Sequence, residues 1–86
     1  MNRINIQFYN QTKYPVTVFL EFSTDEFVLK PDDKIRICCE SKEEISMIES
    51  SMIDSEYVVV YVPFYCQATV YFNDDYVWSM AESFWS

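Results

Sequence analysis

The sequence predicts a mainly β fold, a small antiparallel β-sandwich or barrel of seven or eight short strands. Two observations support this prediction. Apolar and polar residues alternate in several stretches, as they do in strands with one buried face. Residues typical of turns recur at intervals of about 8–12 residues, which is the spacing found in small sandwiches and barrels. With 86 residues, 50% of them hydrophobic, the chain is expected to form a single domain.

The centre of the fold is predicted at residues 57–62, a run of Tyr and Val that contains no charged residue. Such a run is typical of a strand that is covered on both faces. It is too short for a buried helix. Pro63 ends it, because proline has no backbone N–H to donate to a neighbouring strand.

The first half of the chain contains four further predicted strands. Alternation over residues 4–9 predicts the first strand, and residues 14–22 predict the second. Because only a short turn separates them, we expect these two strands to pair as an antiparallel hairpin. A short third strand is predicted at residues 26–29. After a Pro-Asp-Asp turn, alternation over residues 34–39 predicts a fourth.

The last third of the chain predicts a hairpin. Residues 66–72 alternate between apolar and polar, and residues 73–75, Asn-Asp-Asp, form the turn. Asn and Asp are the best substitutes for glycine where the backbone needs a positive φ. The partner strand is predicted at residues 76–80. In the tail that follows, Phe84 and Trp85 are expected either to dock on the sandwich or to form a sticky surface.

Residues 43–53 leave two alternatives open. Apolar residues in this segment recur at helical spacing, and Ser41 with Glu44 matches a capping box, which begins helices. The β-branched residues Ile45 and Ile48 favour a strand instead. The segment is therefore predicted to be one short helix or a strand.

The charge balance excludes two classes of partner. Fourteen acidic residues against six basic ones give a net charge of −8. This charge repels the phosphates of nucleic acids and the surface of anionic membranes. It favours a basic protein partner, or it only keeps an aromatic-rich protein in solution.

Two absent residue types argue against catalysis. The chain has no His, the usual general base and the commonest metal ligand, and no Gly, which phosphate-binding loops require. The adjacent carboxylates Asp32-Asp33, Glu43-Glu44 and Asp74-Asp75 lie at predicted turns or in the ambiguous segment 43–53, and adjacent residues do not face each other across a cleft. We therefore expect neither an enzyme nor a cofactor.

The cysteines predict a reduced protein. The chain has three, Cys38, Cys39 and Cys66, and an odd number with two adjacent residues is a poor disulfide framework. No apolar signal segment is recognised at the start, and no run approaches the length of about 20 residues that spans a membrane. These features favour the cytoplasm. We expect Cys39 in the core and Cys38 near the surface, rather than a redox or metal pair.

The candidate binding residues lie in the acidic segment 40–56. If this segment lies across one face, it forms a negative patch beside apolar side chains, which is a common composition of protein interfaces. The alternative is a solvated face without a partner. The residues predicted to bind a partner are Glu40, Glu43, Glu44, Met47, Glu49, Asp54 and Glu56.

Aromatic residues are dense in the last third of the chain. Most are expected in the core, and one or two are expected to be exposed for binding, because Tyr gives contact area at low entropic cost. An exposed strand edge that pairs two copies is the alternative use of this surface. The residues concerned are Tyr57, Tyr61, Tyr65, Tyr71, Tyr76 and Trp78.

One stretch resembles a known domain type. The pattern is Asn10-x-Thr12-x-x-Pro15-Val16-x-Val18, then Phe27-x-Leu29-x-Pro31-Asp32-Asp33-Lys34-Ile35-x-Ile37. It resembles the opening of many small β-sandwich domains, including the von Hippel-Lindau-type β domain. In these domains a hairpin is followed by a Leu-x-Pro-Gly-Glu/Asp turn. Here Asp32 stands where Gly is usual. The resemblance implies a sandwich and no particular activity.

In size and acidity the chain also resembles the immunity proteins of bacterial toxin systems, such as those of contact-dependent growth inhibition. That resemblance implies a small cytoplasmic protein that neutralises a toxin. Our leading hypothesis is an acidic, non-catalytic protein that binds a basic partner, most concretely an immunity protein that blocks a nuclease-type toxin. A second hypothesis of the same class is a phage protein that inhibits a host defence complex. The alternative from a different class is a structural module that self-associates through its strand edges.

Overall fold

The computed structural model describes residues 2–21 and 23–83, and it confirms a mainly β fold with eight short strands. The strands are β1 (Asn2–Tyr9), β2 (Val16–Glu21), β3 (Asp25–Leu29), β4 (Lys34–Ser41), β5 (Glu49–Asp54), β6 (Tyr57–Tyr61), β7 (Gln67–Phe72) and β8 (Asp75–Val77). A single turn of 3-10 helix, Met80–Ser83, follows β8. Phe22, Phe84 and Trp85 lie outside the described residues. The prediction that Phe84 and Trp85 dock on the sandwich or form a sticky surface therefore concerns residues outside that range. Among the described residues, no helix has the length and apolar character needed to cross a membrane.

The strands form two four-stranded sheets that enclose one hydrophobic core. The order in the first sheet is β1-β4-β7-β8, and the order in the second is β3-β2-β6-β5. Alternate residues of each strand point inward, as the period of two in the sequence predicts. The inward-facing core residues from both sheets include Val18, Leu20, Leu29, Ile35, Ile37, Cys39, Val58, Val60, Ala68 and Val70.

The expected hairpin between the first two strands is wrong. β1 pairs antiparallel with β4 in the first sheet, whereas β2 pairs with β3 and β6 in the second. The connection between β1 and β2 therefore crosses from one sheet to the other. Alternation predicts which face of a strand is buried, but it does not predict which strand lies beside it.

The central position of β6 is confirmed. It lies between β2 and β5, and Val58, Val59 and Val60 are all buried. Val58 and Val60 face the core, and Val59 faces away from it yet is only 6% exposed. The sandwich was predicted to be antiparallel, but β6 runs parallel to β2.

Of the two alternatives for residues 43–53, the helix is wrong. Residues 42–48 contain no helix or strand, and β5 then forms an edge strand of the second sheet. Ser41 does accept a hydrogen bond from the Glu43 N–H at 3.0 Å, but it stands at the end of β4 and no helix follows. Ile45 is buried in the core and holds this connection against the sandwich. Ile45 and Ile48 therefore lie in an irregular connection, and the β-branched residue that enters β5 is Ile53.

The hairpin of β7 and β8 is confirmed, with a partner strand shorter than predicted because the 3-10 turn begins at Met80. In its turn Asn73 and Asp74 have φ angles of 51° and 69°, and Asp32 has a φ of 71° in the turn before β4. These are left-handed conformations that normally favour glycine. A chain without glycine places Asn and Asp there, whose short polar side chains tolerate this region best.

The turns before β4 and after β7 are joined by their side chains. The Asn73 amide donates a hydrogen bond to the Asp33 carboxylate at 3.0 Å, and the Lys30 N–H donates to its other oxygen at 2.9 Å. The Asn73 side-chain oxygen accepts from the Lys34 N–H at 2.9 Å. These hydrogen bonds hold the pKa of Asp33 below its ordinary value, because they favour the ionised carboxylate.

The crossing from β1 to β2 depends on the buried side chain of Asn10. Its amide nitrogen donates to the carbonyl oxygens of Tyr14 (2.8 Å) and Leu29 (2.9 Å), and its oxygen accepts from the N–H and hydroxyl of Thr12. Its backbone also bonds to Asp32 and Asp33. One side chain thereby ties the crossing to the end of β3.

We predict that Asn10→Ala lowers the free energy of unfolding by about 3 kcal/mol, because it removes four hydrogen bonds and takes the amide donor away from the buried Leu29 carbonyl. Urea unfolding monitored by tryptophan fluorescence measures this loss. Gln11→Ala, at the exposed neighbouring position, is the control and should change stability by less than about 0.5 kcal/mol. Equal effects of the two substitutions would contradict this role of Asn10.

Candidate functional site

The outward-facing side of the second sheet carries a group of apolar and aromatic residues. Register places Phe19 of β2 beside Val59 of β6, and it places Thr17 of β2 between Val28 and Tyr57. Tyr61 lies further along β6 on the same side. We call this surface the aromatic face and define it by Phe19, Val28, Tyr57, Val59 and Tyr61.

The aromatic rings on this face pack against one another. Phe19 stacks on Tyr57 with ring centroids 5.7 Å apart and an interplanar angle of 26°. Val59 lies between neighbours that shield it, whereas Tyr57 and Tyr61 are each 37% exposed. A preformed, partly exposed aromatic cluster needs little ordering when it is covered, which favours its use as a binding surface.

Carboxylates surround the aromatic face. Tyr61 lies between Glu21 of β2 and Glu49 of β5, so an acidic residue flanks it on each side. Glu26 of β3 is the register partner of Phe19, and Asp54 of β5 is the register partner of Tyr57. We call these four carboxylates the acidic rim.

None of the six basic residues lies on a strand of the second sheet. Lys13, Lys30 and Lys42 are in connections, and Arg3, Lys34 and Arg36 point outward from the first sheet. The three on the first sheet have partners. Arg3 pairs with Glu40 at 3.3 Å, Lys34 pairs with Asp74 at 2.9 Å, and the Arg36 guanidinium lies 4.4 Å from the ring centroid of Tyr71. The strands of the second sheet therefore carry acidic residues and no basic residue, whereas basic and acidic residues pair on the first sheet.

The predicted binding residues do not lie across one face. Met47 and Glu49 come together with Tyr61 and Pro63 around a groove of about 210 Å³ beside the aromatic face. Asp54 belongs to the acidic rim at the other end of β5.

The other predicted residues are separated from this groove. Glu40 points outward from the first sheet, where Arg3 neutralises it. Glu43 and Glu44 are exposed in the connection before β5. Glu56 lies in the turn between β5 and β6, and its N–H donates to Asp54 at 2.8 Å. The segment changes sheets between residues 41 and 49, which is why its charges are divided.

Five residues of the face and rim were not predicted from the sequence as binding residues, namely Phe19, Glu21, Glu26, Val28 and Val59. Alternation in the second strand puts Phe19 and Glu21 on the same side. What the sequence did not indicate is the parallel pairing of β2 with β6, which brings them beside Tyr57 and Tyr61.

The three cysteines are buried free thiols. Cys39 is in the core as expected. Cys38 points outward from β4, as expected for a residue near the surface. Its side chain is nevertheless only 9% exposed. Burial raises the pKa of Cys38 and of Cys66, and it raises the pKa of Cys39 to about 12. Within residues 2–21 and 23–83, no three Cys, Asp or Glu side chains converge to hold a metal ion.

Comparison of the chain with protein-family models, with curated proteins and with solved structures gave no match. The aromatic face with its acidic rim is therefore interpreted from its own geometry and charge.

We predict that all three thiols react slowly with a disulfide reagent in the folded protein at pH 8. At that pH the Cys39 thiol, whose pKa is about 12, is ionised to the extent of roughly 1 part in 10,000, and the thiolate is the reactive form. Burial also raises the pKa of Cys38 and of Cys66 and limits access of the reagent to them. Absorbance of the released chromophore measures the rate. The same protein in urea is the control, and all three thiols should react promptly there. Rapid reaction of one thiol in the folded state would contradict the buried placement.

Proposed function

We propose that this chain is a non-catalytic protein that binds a basic protein partner through the aromatic face and its acidic rim. The observation that carries the proposal is the composition of one sheet surface. Exposed aromatic side chains lie there among four carboxylates, and no basic residue lies on that surface.

The two parts of the surface act differently in binding. Tyr57 and Tyr61 bury a large area when covered, as the aromatic anchors at the centre of protein interfaces do. The acidic rim attracts a basic partner, orients its approach and raises the association rate. A Lys or Arg of the partner that lies over the Tyr61 ring would meet the ring face and the carboxylates of Glu21 and Glu49 together.

The most concrete form of the proposal is an immunity protein that blocks a nuclease-type toxin in the bacterial cytoplasm. A nuclease active site is positively charged because it must bind the phosphate backbone. Carboxylates of the acidic rim would then occupy the positions of phosphates. The small size, the net charge of −8 and the three reduced cysteines support this form. The same surface chemistry suits a phage inhibitor of a nucleic-acid-binding defence complex.

The test is capture of the partner from native cells with two variants that change the net charge equally. Glu21→Lys combined with Glu49→Lys reverses both carboxylates beside Tyr61. Glu43→Lys combined with Glu44→Lys is the matched control, because both residues are exposed in the connection before β5. We expect the first variant to lose the captured protein and the second to retain it. Urea unfolding checks that both variants fold.

Salt dependence completes this test. The captured protein should be basic, stoichiometric and retained at about 50 mM salt, and it should be released at about 500 mM, where the screening length is only a few ångströms. A partner that both variants retain, or that high salt does not release, would overturn the proposal. Self-association of the purified chain without a captured protein would favour a structural module instead.

A further inference from the structure

The outer edge of β5 is open to another strand. Among the described residues, β5 pairs with β6 on one side and with no strand on the other. All six of its residues are exposed. An edge strand of this kind presents unpaired N–H and C=O groups, to which an extended segment can add.

An apolar cleft lies beneath this edge, between the two sheets. Its volume is about 220 Å³, and its apolar wall comes from Phe8, Val16, Val18, Leu29, Met52 and Val58. Met52 is the register partner of Val58, which faces the core, yet Met52 is 71% exposed. The inward-facing residues of β1 opposite, Ile4, Ile6 and Phe8, are only half-buried. The sandwich is therefore open along the seam between β1 and β5.

We propose that an extended segment of the basic partner, with apolar and basic side chains in alternation, adds to the edge of β5 and closes this seam. This inference rests on the proposed function and specifies the part of the partner that β5 receives. The apolar side chains of the segment would point inward over Met52 and into the cleft. Its Lys or Arg side chains would point outward beside Glu49 and Asp54 of the acidic rim.

The charges of β5 favour this occupant over a second copy of the chain. Two antiparallel β5 strands related by a two-fold axis through the middle of the strand would place Glu49 of each copy opposite Asp54 of the other. Like charges directly opposite each other in a sheet are destabilising. A segment with basic residues at these positions converts the repulsion into attraction.

The probe is a synthetic seven-residue peptide in which Lys and Val alternate. Its control is the same peptide with every second backbone nitrogen methylated, which removes the donors on one edge. We expect the unmethylated peptide to slow amide hydrogen exchange in β5 by at least about tenfold. Among β5 amides, only those directed away from β6 should respond. The methylated peptide should give no protection.

Two substitutions of the same kind separate this inference from the proposed function. Met52→Lys and Met47→Lys add the same charge at residues that are 71% and 62% exposed. Met52 lines the cleft under the β5 edge, whereas Met47 lines the groove beside Tyr61. We expect Met52→Lys to weaken peptide binding by at least about tenfold and Met47→Lys to weaken it by less than about threefold.

Each other outcome overturns the inference. Peptide binding without protection of β5 amides would place the basic ligand elsewhere, and it would leave the proposal for the aromatic face intact. Absence of peptide binding at low salt would exclude a basic strand at this edge. A dimer of the purified chain with β5 amides already protected would assign the edge to a second copy.

Discussion

The parallel pairing of β2 with β6 is the contact on which the arrangement of the second sheet depends. It aligns Val18 with Val58 and Leu20 with Val60, so that four apolar side chains enter the core side by side. The pairing continues beyond β6 at both ends. The Thr17 N–H donates to the Glu56 oxygen at 2.7 Å, and the Val62 N–H donates to the Glu21 oxygen at 2.9 Å. Two segments about 40 residues apart in the sequence are thereby held in one register.

The same register constructs the outward-facing surface. Because partners in register point to the same side of a sheet, the inward alignment of four apolar residues also places Phe19 beside Val59 and Glu21 beside Tyr61. β3 and β5 then add Glu26, Glu49 and Asp54 from either side. Core and candidate binding surface thus depend on the same contact, so a change of register would remove both.

Features that depend on neighbouring residues were predictable from the sequence, and features that depend on contacts between distant segments were not. Alternation placed nearly every strand, because the side chains along a strand depend on neighbouring residues alone. It also predicted the β7–β8 hairpin, where Asn73 and Asp74 form the turn. The predicted pairing of the strands at residues 4–9 and 14–22 was wrong, because their short separation favoured a hairpin, whereas Asn10 directs the chain across to the other sheet. Of the candidate site, Met47, Glu49 and Asp54 were predicted, and Glu21 and Glu26 require the long-range register.

Nuclear Overhauser effects between β2 and β6 are the direct test of their parallel register. This register predicts cross-strand effects between Val18 and Val58 and between Leu20 and Val60, together with slow exchange of the Thr17 and Val62 amides. It predicts none between Gln7 and Val18, which lie in different sheets and which a hairpin of β1 and β2 would bring together. Effects between those two residues, with none between β2 and β6, would contradict the fold and the binding surface built on it.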